Sequence, residues 1–261
     1  MIKLFATDMD GTFLRDNKTY DEERFAEIHK KMTSQNIKWI VASGNQYFQL
    51  KSFFKKYPET IYVAENGAYI RDLNNVYAVH YFDKASVNKI IEKLSEIPQL
   101  QILVCGVKSA YILNSESKDY MENVKNYYYE LSILDSFQEI NDRILKFALT
   151  CPPSETEKLV NILKSELSGI AEPTSSGHGD IDIIQPGRNK AAGLTELGEK
   201  LNISLNEMCA FGDGGNDLEM LREVGLGVAM ENAQTIVKKA SDRQTTDNQN
   251  QGVLNFISKV I

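Results

Sequence analysis

Ile2-Lys3-Leu4-Phe5-Ala6-Thr7-Asp8-Met9-Asp10-Gly11-Thr12 begins as a short apolar run and stops on two carboxylates and a glycine. A run of this length bounded by a polar turn predicts a buried strand with Asp8 and Asp10 just past its carboxyl end. Asp21 is placed to open a helix whose Phe25, Ile28 and Met32 share one face. Residues 37–42 read as a second buried strand, ending at Ser43-Gly44. A second helix follows with Tyr47, Leu50, Phe54 and Tyr57 on one side, and it stops before Pro58 because the residue ahead of a proline is pushed out of the α region. Residues 61–64 give a third strand. Strands and helices alternating at these lengths predict βαβ units and a parallel sheet covered on both faces.

The rhythm changes between residues 83 and 186. A helix carrying Val87, Ile90, Ile91 and Leu94 precedes strand-like runs at 101–105 and 111–113 and a Tyr-rich helix at 121–129. Residues 146–151, a helix with Leu159, Ile162 and Leu163, and a strand at 180–184 complete an α+β pattern. After Pro186-Gly187 the first rhythm returns, with helices at 190–201 and 217–224 and strands at 208–211 and 226–230. Short helical segments follow at 235–240 and 253–260. The expected organisation is an α/β core of residues 1–82 and 187–261, interrupted by an inserted α+β unit of residues 83–186.

Composition narrows the function classes. The chain has 261 residues, 42% hydrophobic and 25% charged, a soluble globular composition long enough to bury its own core without disulfides or a structural metal. The 29 Lys and Arg against 36 Asp and Glu give a formal charge of −7, which repels polyanions and makes nucleic acid and anionic membranes poor partners. The opening residues run into carboxylates too early for a secretory signal, so a cytoplasmic location is expected, as a monomer or weak homo-oligomer. Cys105, Cys151 and Cys209 lie far apart in apolar stretches and read as small core residues. His29, His80 and His178 are equally scattered, at no zinc-ligand spacing.

A second acidic cluster, Gly212-Asp213-Gly214-Gly215-Asn216-Asp217, follows the strand at 208–211. In open α/β sheets, ligands bind outside the carboxyl ends of the strands, so both clusters can share one site. Four carboxylates brought that close require a cation, and a donor set of oxygens alone points to Mg²⁺. Gly11 directly after Asp10 breaks the spacing of a Ca²⁺-binding EF-hand loop. Taken singly, each cluster also suits a solvated turn, Ser43-Gly44 an ordinary helix cap, and Lys190 a surface residue at a helix start. Their conjunction at strand ends is what argues for a site.

In this order, Asp8-Met9-Asp10-Gly11-Thr12, Ser43-Gly44, Lys190 and Gly212-Asp213-Gly214-Gly215-Asn216-Asp217 resemble the four motifs of the haloacid dehalogenase superfamily. The position of the insertion and the segment Glu65-Asn66-Gly67-Ala68 are similar to the Cof-type subgroup with a type IIB cap. Thr7 to Leu14 and Val41 to Tyr47 look most like the bacterial sugar phosphatases. The resemblance implies a Rossmann-like parallel core with an inserted α+β cap, and a Mg²⁺-dependent phosphatase of small phosphorylated sugars. By the same resemblance, Asp8 is the nucleophile that forms an aspartyl-phosphate, and Asp10 is the general acid and then base. Mg²⁺ is held by the Asp8 carboxylate, the Asp10 main-chain carbonyl and Asp213, with Asp217 in support. Ser43, Gly44, Asn216 and Lys190 bind the transferring phosphoryl group. A dianionic ester with ionised Asp8 and Asp213 carries −4 against +3 from Mg²⁺ and Lys190, so both cations are needed. Asn45 stands where many members have Arg. In the cap, Ser175 to Asp180 offers His178 and Asp180 for substrate selection, and a plain hairpin loop is an equally good reading of that segment. Tyr127-Tyr128-Tyr129 reads as a half-buried helix face rather than a platform for bases. Two alternatives stay open: a phosphosugar mutase, and a non-catalytic phosphosugar-binding protein on the same fold.

Overall fold

The computed structural model describes residues 1–177 and 179–261. In chain order it runs β1 (Leu4–Thr7), α1 (Glu22–Ser34), β2 (Lys38–Ala42), α2 (Tyr47–Phe53), β3 (Ile61–Ala64), β4 (Tyr69–Arg71), β5 (Val76–Val79), α3 (Lys84–Ser95), β6 (Gln101–Gly106), β7 (Ala110–Leu113) and α4 (Lys118–Val124). It continues with β8 (Leu131–Leu134), β9 (Ile144–Thr150), α5 (Thr156–Glu166), β10 (Glu172–Gly177), β11 (Asp180–Ile184), α6 (Lys190–Leu201), β12 (Met208–Gly212), α7 (Leu218–Glu223), β13 (Leu226–Ala229), α8 (Thr235–Ala240), β14 (Arg243–Gln244) and α9 (Gly252–Val260).

These strands build two sheets. One has the order β14-β13-β12-β1-β2-β3-β4-β5, the other β10-β11-β9-β6-β7-β8. In the first, β1 lies between β12 and β2 and pairs with both in parallel, Thr7 opposite Phe211 on one side and Val41 on the other. Its residues Leu4, Phe5 and Ala6 are fully buried, the expected state of a central parallel strand with helices on both faces. The sheet is not parallel throughout: β4 and β5 add to β3 as antiparallel strands, an extension the sequence reading lacks. Both are short, so they offer little apolar run to read. The second sheet is mostly antiparallel, but β7 and β8 pair in parallel. One of its faces packs Val104, Phe147, Ile181 and Ile183 with Ile90 and Leu94 of α3 and Leu159 and Leu163 of α5. The opposite face carries Leu103, Cys105, Ala110 and Ile112 with Tyr120 and Val124 of α4. The chain passes from the first sheet to the second between β5 and β6 and returns between β11 and α6.

Two helices are shorter than their periodicity suggests. The helix expected to reach Tyr57 ends at Phe53, because Phe54 leaves the helical region (φ −119°, ψ 32°). Ring packing compensates for the lost turn: Phe54 and Tyr57 lie 5.6 and 4.9 Å from the Phe25 ring. The Tyr-rich helix stops at Val124, so Tyr127 to Tyr129 follow it in a turn. There Tyr127 lies under the Lys18 ammonium, 5.1 Å from ring centre to Nζ, and Tyr128 packs against the cluster that contains Cys105. Three successive residues on a helix would point about 100° apart and could not share a face.

An aromatic cluster fixes the loop after β1. The Phe13 ring sits 5.2 Å from Trp39, 5.5 Å from Phe25, 5.6 Å from Phe54 and 4.9 Å from Tyr20. Phe25, on the buried face of α1, is fully enclosed. Phe25→Ala therefore removes the hub of this cluster and is expected to lower unfolding stability by about 3–5 kcal/mol, measured by urea denaturation.

Candidate active site

The carboxyl ends of β1 and β12 bring the two acidic segments together. The Asp8 amide donates to the Phe211 carbonyl at 3.1 Å, which continues the strand pairing into the loops. Gly11 adopts φ +77°, and a Cβ there would stand 2.5 Å from Asp213 Oδ2, so only glycine lets the first loop approach the second this closely. Thr12 Oγ1 donates to Asp213 Oδ1 at 2.6 Å, across 201 residues of sequence.

Lys190 enters from the first turn of α6, which Asn189 caps by accepting from the Ala192 amide at 2.8 Å. Its side chain is fully buried rather than at the surface. The ammonium donates to Asp8 Oδ1 and to Asp217 Oδ1, each at 2.7 Å. The other Asp217 oxygen accepts from the amides of Asp213 and Gly214 at 2.9 and 3.0 Å. Asp217 thus ties Lys190 to the loop after β12. Carboxylate oxygens of Asp8, Asp213 and Asp217 all lie within 4.8 Å of one another. Burial raises the Asp8 carboxyl to about 8, opposed by Lys190 and reinforced by the charges of Asp217 and Asp213. Burial, then Asp217, raises Asp213 to about 6, against the Thr12 hydrogen bond. Lys190 keeps its proton: burial disfavours the charge, but Asp217 and Asp8 raise its pKa above the ordinary lysine value. With all three carboxyls ionised, the single ammonium leaves the cluster with two negative charges in excess, and the raised Asp8 and Asp213 values are the metal-free protein's response to that excess. A hard, oxygen-ligated divalent cation such as Mg²⁺ fits that donor set.

Asp10 finds its side-chain partners outside this cluster. Its Oδ2 accepts from Asn45 Nδ2 at 2.7 Å and its Oδ1 from Lys18 Nζ at 2.5 Å. Asn45, in the place where an arginine is common, thereby holds Asp10. Ser43 is buried at the end of β2, and its Oγ accepts from the Asn45 amide at 3.2 Å. Asp8, Asp10, Ser43, Gly44, Asp213 and Asn216 all border one cavity of about 530 Å³ between the two sheets. The second sheet, α4 and the segment after it supply its far wall, including Leu103, Tyr127, Tyr128, Ala148 and Asp182. Asp180 borders the cavity from the start of β11, and Thr150 Oγ1 donates to it at 3.5 Å. Ser175 to Gly177 belong to β10 rather than to a loop, and His178 lies outside the described residues.

Four further polar residues belong to the site region. Lys18 reaches Asp10 from a charged loop that gives no sequence signal. Lys146, Asp182 and Glu65 form a buried group at the seam between the sheets. Besides the Glu65-Asn66-Gly67-Ala68 segment, a lone lysine inside Ile144-Leu145-Lys146-Phe147-Ala148-Leu149 is the sign of it in the sequence.

A family profile described as haloacid dehalogenase-like hydrolase matches residues 5–257. The chain is similar to the 5-amino-6-(5-phospho-D-ribitylamino)uracil phosphatase YbjI of Escherichia coli (strain K12), at 39% identity over all of this chain and 96% of that protein. Among solved structures it resembles SMU.1108c of Streptococcus mutans UA159, with TM-score 0.95, 33% identity and coverage of 100% of this chain and 99% of the other. The fold also matches the subclass IIB sugar phosphatase BT4131, with TM-score 0.83 at 21% identity, over 99% and 98% of the two chains. With the profile spanning nearly its whole length and the acidic loops at the sheet's carboxyl edge, the chain belongs to the haloacid dehalogenase-like hydrolases, as an α/β core with an inserted cap of the IIB type.

Proposed function

We propose that the protein is a Mg²⁺-dependent phosphatase that hydrolyses monoesters of small phosphorylated sugars through an aspartyl-phosphate on Asp8. The observation that carries this reading is the pairing of Asp8, held by a buried ammonium, with a separately held Asp10 on the same cavity. Residues 83–186 act as the cap that encloses substrate over a core of residues 1–82 and 187–261. Asp8 attacks phosphorus, and the bond to the sugar oxygen breaks as Asp10 delivers its proton to that oxygen. Asp10 then removes a proton from water, which attacks the aspartyl-phosphate, breaks the acyl-phosphate bond and releases inorganic phosphate. The Lys190 ammonium favours the ionised form of Asp8 and offsets charge on the phosphoryl oxygens. The Ser43 hydroxyl, the Gly44 backbone and the Asn216 amide donate to those oxygens. Asp8, Asp213 and the Asp10 carbonyl would hold Mg²⁺, with Asp217 fixing the loop behind them. When bound, the ion supplies positive charge against the carboxylates and the ester.

The cavity has room for an ester larger than a hexose phosphate. At about 530 Å³, with Tyr127, Tyr128 and Asn123 on its wall, it has room for a planar group beyond a sugar or sugar-alcohol chain. A ribityl phosphate bearing a pyrimidine, as named for the relative from Escherichia coli, meets that description. A panel of phosphate esters that contains this compound and simple hexose phosphates, assayed with Mg²⁺ and with EDTA, tests the reading. Isomerised sugar phosphate without free phosphate would identify a mutase instead. Saturable binding without turnover would identify a phosphosugar-binding protein.

Asp8→Asn is expected to fold normally and to lower phosphate release by at least about a thousandfold, since it removes the nucleophile. Full activity in that variant would refute the assignment. The acidic cluster also sets a pH dependence. Between about pH 4 and 8 the folded metal-free protein holds protons on Asp213 and Asp8 that the unfolded chain has released. Its stability therefore falls as pH rises through that window. Mg²⁺ binds the ionised carboxylates, so its stabilising effect grows as these protons leave. Thermal melts are expected to show a larger Mg²⁺-induced rise in Tm at pH 8 than at pH 6.

A further inference from the structure

We infer that Lys146 of the cap is a positioning residue that clamps the phosphoryl-binding loop of the core, so that the loop is completed only when the cap is docked. Its side chain is buried at the seam of the two units, and its ammonium donates to the Gly44 carbonyl at 2.7 Å and to Asp182 Oδ1 at 2.8 Å. The carboxylate of Glu65 lies 3.5 Å from the same nitrogen. Two of the three N–H donors of the ammonium are taken by Gly44 and Asp182, and Glu65 stands beside it as an ion-pair partner. The cation thus holds the loop from the edge of the cavity that it borders.

Two of these partners belong to the core and one to the cap. Asp182, from β11, uses its second oxygen to accept from Asn66 Nδ2 at 2.6 Å, again in the core. Glu65 and Asn66 both take left-handed backbone conformations, φ 52° and 54°, which cost energy for residues other than glycine. They return hydrogen bonds to the phosphoryl loop: the Asn66 amide donates to the Ser43 carbonyl at 3.1 Å and the Glu65 amide to the Asn45 carbonyl at 3.3 Å. Glu65 Oε2 is buried with no hydrogen bond, so the Lys146 charge is what compensates it. Burial accordingly raises the Glu65 carboxyl to about 7 despite that charge. The cap also grips the loop at a second point, where the Gln46 side chain exchanges hydrogen bonds of 2.8 and 3.0 Å with the Glu130 backbone. By holding the Gly44 carbonyl, Lys146 fixes the peptide between Gly44 and Asn45. The N–H of that peptide, on Asn45, donates to the Ser43 hydroxyl oxygen, and the Asn45 side chain restrains Asp10.

The test is the pair Lys146→Met with Glu65→Gln, which deletes the clamp without leaving a buried unpaired carboxylate. The kinetic readout rests on the phosphatase reading, and amide hydrogen exchange over residues 43–46 does not. The variant is expected to melt within a few degrees of the wild type. Its kcat should fall by about 10- to 100-fold, in parallel for p-nitrophenyl phosphate and a hexose 6-phosphate, with KM changed less than about threefold. Exchange at 43–46 should accelerate at least about tenfold. Unchanged kcat and exchange would overturn the inference, as would a loss confined to the sugar ester, which would make Lys146 a contact to the leaving group. If the pair does not fold, Lys146→Arg keeps the buried charge balanced. Its planar guanidinium cannot reproduce one nitrogen placed between the Gly44 carbonyl and Asp182 and beside Glu65, so kcat and exchange should move in the same directions, and wild-type values for both would overturn the clamp. If the wild type releases phosphate from no ester, the phosphatase reading fails and exchange at 43–46 alone decides the clamp.

Discussion

One buried ammonium holds the carboxyl edge of the first sheet together. Lys190 bridges Asp8 and Asp217 from a position with no solvent access, joining elements 182 and 27 residues away. Burying a charge costs free energy that only close partners recover, so each member of this trio constrains the other two. Asp217 passes the constraint on through its bonds to the amides of Asp213 and Gly214. The loop after β12 is thereby locked to the loop after β1, and Thr12 closes the circuit through Asp213. Lysine at the start of α6 makes sense only in this light. The helix dipole disfavours a cation there, and the two carboxylates override it.

Across the cavity, Lys146 repeats the device with a different consequence. Both ammonium groups are buried and shared among acceptors from distant segments. Lys190, however, joins parts of one unit, whereas Lys146 joins the cap to the core. The acidic half of the site is assembled by the core alone. The loop at residues 43–46 is held in addition by hydrogen bonds from Lys146 and Glu130 of the inserted unit. In the proposed phosphatase, that division would keep the nucleophile in place while the groups that orient the phosphoryl oxygens are finished by enclosure.

Much of the core was legible because its signals are local. The run at residues 2–7 ends in carboxylates, and the run at 208–211 ends in glycine and aspartate. Both are strands that must lie inside a parallel sheet, so Asp8 and Asp213 were brought together by topology alone. The missed features share a physical cause: each depends on a partner far away in sequence. β4 and β5 are too short to announce themselves and exist by pairing with β3. The turn after α4 forms because Tyr127 and Tyr128 find Lys18 and the Cys105 cluster, contacts that no helical periodicity encodes. Lys146 looks like an ordinary interruption of a strand until Gly44, Glu65 and Asp182 stand around it. Glu65 and Asn66 were legible as a motif, but not as a pair of left-handed residues held by the cap.

An acidic protein that takes an anionic ester presents an apparent conflict, and these local arrangements remove it. The net charge of −7 acts over the whole surface, where salt screens it within about 8 Å at physiological ionic strength. Inside the cavity the balance is set by which charges are already matched. Asp10 meets Lys18 and Asn45, and Asp182 meets Lys146 and Asn66. The unmatched negative charge is concentrated in Asp8, Asp213 and Asp217, where one ammonium faces three carboxylates. A divalent cation drawn there would neutralise the cluster, and the proposed ester would then meet a site in which carboxylates and cations are in balance. In the proposed phosphatase, the acidity that repels polyanions from the surface would serve, at the sheet edge, to recruit the metal that admits a small phosphate.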